Sequence, residues 1–374
     1  MLWCKPMNSP RAYLDHNATS PLKEAARTAM LEAVTEGGNA SSIHAEGRAA
    51  RHRIEAAREK LAQSLGVIPQ MVVFTSSGSE ANNLAIKGAP VERLIIGATE
   101  HPCVLEAAKA SGKPMDILLV DQNGQPDLNV LDALLAKPGK ALVSLMLANN
   151  ETGIIAPISQ VADHVRAADG LLHTDAVQAF GKMTLRMPIL GADMLTISAH
   201  KFGGPIGAAA LIIRDGVAMA PLIHGGGQEL RRRAGTENVA AIAGLAAAIG
   251  DLPKEIKALR DDLESFLQAE TPAIQIFGKA SERLSNTSCF ALPGIAADTA
   301  LISLDLDGVA VSSGSACSSG KVGKSHVLSA MGIEEKLAKS ALRVSLGWNT
   351  SVKDIELFKT AWKRTAARAN QKAA

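Results

Sequence analysis

Between Met71 and Thr174 short apolar runs alternate with helix-forming stretches, and this alternation restricts the chain to a small set of folds. The runs are Met71 to Thr75, Arg93 to Gly97, Met115 to Val120, Ala141 to Leu147 and Leu171 to Thr174. Helical stretches at Pro102 to Ala110, Leu128 to Leu135 and Ile158 to Ala168 separate the later ones. The runs are apolar almost throughout instead of alternating, so both faces of each strand are expected to be covered. The predicted class is α/β: a large domain with a mostly parallel sheet covered by helices on both faces, plus a smaller α+β C-terminal domain. Ligands of such sheets gather at the carboxyl ends of the strands. Those ends carry Ser76 to Glu80, Thr99 to His101, Asn149 to Glu151, Asp175 to Gln178 and Ser198 to Lys201.

The flanks bound the domains. Thr19-Ser20-Pro21 reads as an N-cap and first-turn proline of a helix to about Glu36, and His44 to Leu65 has helical periodicity. An Ala-rich helix from Asn238 breaks near Pro253 and resumes to about Gln268. Short strands near Ile274 to Phe277, Asn286 to Ala291 and Leu342 to Leu346, a helix at Ala297 to Leu304, a loop from Ser312 to Gly320 and a final helix follow. The expected division is 15–250 for the large domain, with 1–14 and 251–374 forming the small one.

Within the rim, Ser198-Ala199-His200-Lys201-Phe202-Gly203-Gly204 lies between apolar runs at Ala192 to Ile197 and Gly207 to Ile213, which puts Lys201 on a turn between strands. The glycine pair reads as room for a ligand close to the backbone. Alone, such a lysine reads as a surface residue. Its neighbours reverse that reading. Asp175 stands at a strand end, and Ser76-Ser77-Gly78-Ser79-Glu80 is a strand-to-helix turn whose N–H groups suit a phosphate, although it is neither a Walker loop nor a dinucleotide fingerprint. A lysine for a Schiff base, an acid for a pyridinium nitrogen and donors for a phosphate are what a pyridoxal 5′-phosphate enzyme needs. His101, before Pro102, reads either as a helix cap or as an imidazole stacked on the cofactor ring.

Composition narrows the partners. Lys and Arg total 39 against 37 Asp and Glu, a formal charge of +2, so no charge excess points to nucleic acid or an anionic membrane, and a small-molecule ligand is expected. No apolar run reaches the roughly 18 residues of a membrane helix, and the start lacks a signal-peptide core, so a cytoplasmic protein is expected. Four cysteines without Cys-x-x-Cys or His spacing argue against disulfides and against a metal site. Arg231-Arg232-Arg233 reads as a solvated basic face.

Six blocks occur in order: Glu100-His101, Asn149-Asn150-Glu151-Thr152-Gly153, His173-Thr174-Asp175-Ala176-Val177-Gln178, Ser198-Ala199-His200-Lys201, Gly225-Gly226-Gly227-Gln228-Glu229 and Ser312-Ser313-Gly314-Ser315-Ala316-Cys317. The ordered set resembles the signature blocks of cysteine desulfurases, the NifS-like branch of the class V aminotransferases, from Asp15 to about Leu346. The resemblance implies that Lys201 carries the Schiff base, Asp175 faces the pyridinium nitrogen, Gln178 bonds the ring hydroxyl and His101 stacks on the ring. Gly78, Ser79, Ser198 and His200 would hold the phosphate, joined by Thr236 from a second subunit of a homodimer, and Asn150 would contact the cofactor or substrate edge. Arg343, with Asn17 beside it, would receive the carboxylate of L-cysteine, as a planar guanidinium suits. Cys317 would take the sulfur as a persulfide, leaving alanine, and pass it to an acceptor protein such as an iron–sulfur scaffold. Selenocysteine lyase and a non-catalytic interaction subunit are the alternatives. Lys324 stands where many relatives have proline, and Cys4, Cys103 and Cys289 read as bystanders.

Overall fold

The computed structural model describes residues 11–314 and 324–373. Their contacts divide into two units, residues 19–149 with 155–251 and residues 1–18 with 150–154 and 252–374. In chain order the strands are β1 (Ala12–Tyr13), β2 (Val72–Thr75), β3 (Arg93–Gly97), β4 (Met115–Leu118), β5 (Ala141–Ser144), β6 (Leu171–Asp175), β7 (Met194–Ser198), β8 (Ala209–Ile213), β9 (Gln275–Ile276), β10 (Thr287–Ala291), β11 (Val309–Ala310), β12 (Ser312–Ser313) and β13 (Ala341–Ser345). Helices in the first unit are α1 (Glu24–Glu36), α2 (Ala45–Leu65), α3 (Gly78–Gly88), α4 (Pro102–Lys109), α5 (Leu128–Leu135), α6 (Ile158–Ala167), α7 (Met187–Leu190) and α8 (Val239–Ala248). The second unit holds α9 (Glu255–Glu270), α10 (Ala297–Leu306), α11 (His326–Ala330), α12 (Glu335–Ala338) and α13 (Val352–Ala373).

The first unit is built on a seven-stranded sheet in the order β2-β8-β7-β6-β5-β3-β4. The β3–β4, β3–β5, β5–β6 and β6–β7 pairs are parallel, whereas β8 is antiparallel to both β2 and β7. The link from β7 to β8 is too short to hold a crossover helix, so the chain must reverse there. Two reversals leave β2 running with β7, and the carboxyl ends of β2, β3, β5, β6 and β7 therefore share one rim. Every residue of β3, β5, β6, β7 and β8 is buried, as the unbroken apolar runs require. Val73, Leu84, Ile86, Leu94, Ile96, Val104, Leu142 and Leu211 form a core on this sheet, each worth roughly 1.5–3 kcal/mol of burial.

Caps set the helix boundaries. His44 Nδ1 accepts from Gly47 N–H to start α2, and Gly66, left-handed at φ 71°, ends it. Ser77 Oγ accepts from Glu80 N–H at α3, and Asp127 caps α5. The expected Thr19-Ser20-Pro21 start is not used, because α1 begins at Glu24. The N–H groups of Ser20 and Lys23 instead donate to the carbonyls of His200 and Gly203, so this stretch runs along the lysine turn.

The second unit contains an antiparallel sheet, β12-β13-β10-β9, and a parallel pair, β1-β11. Phe290, Phe358 and Trp362 form its centre: Trp362 lies edge-on to Phe290 at 5.4 Å and stacks on Phe358 at 6.2 Å. The stretch expected as a loop from Ser312 opens as β12, which pairs with β13. Among the described residues no helix is long and apolar enough to cross a membrane.

Candidate active site

Lys201 closes a short 3-10 turn, Ala199–Lys201, directly after β7. Gly204 N–H donates to Ala199 O at 2.9 Å, and Gly203 has φ +90°. A Cβ on Gly204 would lie 2.8 Å from Ala199 Cβ, and one on Gly203 would lie 2.8 Å from Lys23 Cγ. The glycine pair is therefore explained by the turn folding onto its own chain, where the sequence suggested ligand approach. His200 Nδ1 lies 3.3 Å from Thr19 Oγ1. Burial, reinforced by the positive charges of Lys201 and Lys182, pushes the His200 pKa down to about 4. His200 is thus a neutral imidazole near pH 7.

Asp175, at the end of β6, is 6% exposed. Its Oδ2 accepts from Asn82 Nδ2 at 2.6 Å and its Oδ1 from Val177 N–H at 2.9 Å. Both donors are neutral, so the carboxylate is oriented without being neutralised. Asn82 Nδ2 also reaches Cys103 Sγ at 3.2 Å, and that sulfur lies 3.0 Å from His101 Nδ1. His101 caps α4 with Nδ1, which accepts from Cys103 N–H at 3.2 Å. An accepting Nδ1 assigns the proton of the neutral ring to Nε2. Burial first, and then the Asp175 charge, push the Cys103 thiol up to about 12 and the Glu100 carboxyl up to about 8. Glu100 is therefore mostly protonated near pH 7, and it accepts from Met146 N–H. Gln178, on the turn after β6, receives Lys182 Nζ on its Oε1 at 2.6 Å.

On the same rim, Gly78 and Ser79 supply the first N–H groups of α3. A Cβ on Gly78 would stand 3.1 Å from Val177 Cγ2 and 3.5 Å from Ser198 Cβ, so the cradle admits only glycine comfortably. Glu80 accepts from Ser76 N–H at 2.8 Å and is held by Arg233 Nε at 2.8 Å. Residues 229–231 are successively left-handed, with φ of 46°, 57° and 64°. Glu229 anchors that unusual turn through a two-bond fork with buried Arg58, at 2.8 and 2.9 Å, and a bond from Phe74 N–H. Arg232 donates to Gln70 O, so only Arg231 of the basic run fits the expected solvated face. Thr236 is exposed.

In the second unit Arg343, on β13, is 1% exposed. Its Nη2 pairs with Asp15 Oδ1 at 2.7 Å and its Nη1 donates to Asn150 O at 2.9 Å, while Nε has no partner among the described residues. Asn17 Nδ2 approaches the same Asn150 carbonyl at 3.4 Å and Thr287 Oγ1 at 2.9 Å. Asp15 Oδ2 accepts from Ser312 Oγ at 2.8 Å. Burial raises the Glu151 carboxyl to about 7, and its Oε2 accepts from Ser325 Oγ at 2.5 Å.

The first unit thus brings Gly78, Ser79, His101, Asp175, Gln178, Ser198, His200 and Lys201 to one rim, while Arg343, Asn17 and Asn150 converge in the second. Cys317 and Cys4 lie outside the described residues. Cys289, buried in β10, and Cys103 are free thiols. Sequence reading assigned no role to Asn82, Lys182, Asp15 or Arg58. Spacing was a usable signal for two of them: Asn82 stands four residues after Gly78, and Lys182 four after Gln178.

A family model described as aminotransferase class V matches residues 12–358. The chain belongs to the class V aminotransferase family. Cysteine desulfurase IscS of Dictyoglomus turgidum is 41% identical over 360 residues, spanning 92% of this chain and 91% of that protein. The crystal structure of a NifS-like protein from Rickettsia africae superposes with a TM-score of 0.88 at 35% identity, covering 96% of this chain and all of that one. A structure of SspA in complex with cysteine matches with a TM-score of 0.81 at 31% identity, covering 91% of this chain.

Proposed function

We propose that this class V family member is a cysteine desulfurase that uses pyridoxal 5′-phosphate to remove sulfur from L-cysteine, giving L-alanine and a protein persulfide. The observation that carries the reading is the placement of Lys201 and Asp175 at adjacent strand ends of one rim, with the Gly78 turn on the same edge. The residues fit the cofactor. The Gly78 cradle and the Ser198 hydroxyl offer donors to a phosphate, neutral His200 adds one without adding charge, and the carboxylate of Asp175, restrained at both oxygens, suits a protonated ring nitrogen.

When bound, the cofactor supplies an electron sink that loosens the α-proton of the amino acid. Lys201 would anchor it, and its amine would serve as the base that takes and returns the α-proton. His101, with its Nε2 proton, would lie beside it as a proton donor. Gln178 would donate to its ring oxygen. Arg343 receives the substrate carboxylate, using the Nε donor that its present contacts leave over, and Asn17 and Asn150 border that site. The Cys317 thiolate attacks the substrate sulfur; an S–S bond forms, the substrate C–S bond breaks, and the carbon fragment retains the bonding electrons to become alanine after protonation. The Cys317 role rests on the resemblance of its sequence block.

A cytoplasmic homodimer that hands persulfide sulfur to an acceptor protein, such as an iron–sulfur scaffold, completes the reading. The exposure of Thr236 supports a role toward a second subunit. The direct test is to load the purified protein with pyridoxal 5′-phosphate and supply cysteine and a thiol reductant. Stoichiometric alanine and sulfide are expected, with both lost in Cys317→Ser; a protein producing neither overturns the proposal.

A further inference from the structure

The Gln178 amide has two ends of opposite character, and a neighbour decides which way it points. Lys182 Nζ donates to Gln178 Oε1 at 2.6 Å. An ammonium has donors and no acceptor, so the oxygen end of the amide must face it and the NH2 end must face away. Both side chains are largely withdrawn from water, Lys182 at 7% and Gln178 at 5% exposed. There a charge-assisted bond is about twice as strong as a neutral one. The turn after β6 creates the pairing: Phe180 N–H donates to Ala176 O and Met183 N–H to Ala179 O, a helical repeat that brings residues four apart together.

Lys182 lies on the turn that follows β6, whose last residue is Asp175, and so belongs to the same rim. Burial first, and then the charges of Lys201 and Lys182, push the His200 pKa down. The titratable groups of the rim are Lys201 and the neutral His200 on the turn after β7, Asp175 at the end of β6, and His101 with the mostly protonated Glu100 before α4; all are unchanged in the variants below.

We propose that Lys182 is a positioning residue of the cofactor site, holding the Gln178 amide with its NH2 end toward the cofactor ring oxygen. The inference rests on the reading of Gln178 as the donor to that oxygen. A donor fixed in this direction stabilises the oxygen in its anionic form, and the chromophore formed with Lys201 then loses its proton more readily. Without Lys182, the charge-assisted bond that sets the direction of the amide is lost.

The experiment is a spectroscopic titration of the full chain loaded with pyridoxal 5′-phosphate, following the yellow chromophore from about pH 6 to about pH 10. Lys182→Met is expected to raise the apparent pKa of the chromophore by about one unit. Gln178→Ala is expected to raise it as well, and the double variant by less than the sum, because one group acts through the other. Lys182→Arg, which keeps a charged donor, is expected to restore most of the shift. An unchanged titration in Lys182→Met, or fully additive shifts, overturns the proposal. If Lys182→Met does not fold, Lys182→Gln carries the same comparison with the charge removed. Failure of the underlying functional reading looks different: the wild-type chain would then form no chromophore that Lys201→Ala abolishes.

Discussion

Around Asp175 and Lys201 the rim of the parallel sheet holds buried charge with neutral partners, unlike the Arg58–Glu229 pair near β2 and unlike the Arg343 cluster of the second unit. At the rim, Asp175 is held by an amide and a backbone N–H, Lys182 donates to an amide, His200 is neutral and Glu100 is protonated near pH 7. In the second unit Arg343 is satisfied chiefly by a carboxylate, Asp15, at 2.7 Å, and Arg283 by Glu264 at 2.8 Å. Neutral partners orient a charge and leave it available, whereas an ion pair largely cancels it. On the proposed function, the rim would meet a charged ring and a phosphate. The guanidinium is held in place and keeps further N–H donors, Nε among them.

Substitutions can break this contrast, and Lys201→Ala should have the largest effect on turnover. It removes the only amine assigned to both anchoring and proton transfer, so alanine production should fall by about a thousandfold, measured together with loss of the yellow chromophore. Retained turnover would contradict the rim assignment. Arg343→Ala should lower kcat/KM for cysteine by roughly 10- to 100-fold, the equivalent of one charge-assisted bond. It should also cost about 3–5 kcal/mol in urea unfolding, because Asp15 is left without its partner. The chromophore should be unaffected, which separates the two regions experimentally.

Asn82→Ala removes one of two donors to Asp175. A loss of about 1–2 kcal/mol in cofactor binding is expected, read as roughly tenfold weaker retention of pyridoxal 5′-phosphate on dilution, with the Arg343 response unchanged. Equal retention would mean that Val177 N–H alone orients the carboxylate.

Glu100→Gln should have the mildest effect on stability near pH 5, and a growing one above it. The folded-state pKa of Glu100, about 8, lies above its ordinary 4.5. The group's contribution is therefore fully present below about 4.5 and is lost as pH rises toward 8. Glutamine carries no such titration, so the variant should gain stability relative to wild type between pH 5 and pH 8, by up to a few kcal/mol. Parallel unfolding curves over that range would show that Glu100 is ionised in the fold.

Much of this is legible in the sequence. The apolar runs at Arg93 to Gly97 and Leu171 to Thr174 return as β3 and β6 with nearly the same ends. Helical periodicity from His44 to Leu65 places α2 within one residue of its observed start. Elements of four or five residues, such as α7, α11 and α12, were missed, because so short a stretch shows no periodicity. The start of α1 was misplaced for a tertiary reason: Ser20 and Lys23 spend their N–H groups on the lysine turn, far along the chain.

The sequence alone determined the sheet class, the strand ends where chemistry collects and the family resemblance, because these follow from local periodicity and ordered motifs. Only the tertiary structure decided which neutral donors orient Asp175, that Lys182 donates to Gln178, that His101 caps its own helix and that Asp15 pairs with Arg343. Each depends on a hydrogen bond made by a side chain, and Asn82 to Asp175 or Asp15 to Arg343 spans a sequence separation at which no periodicity is preserved.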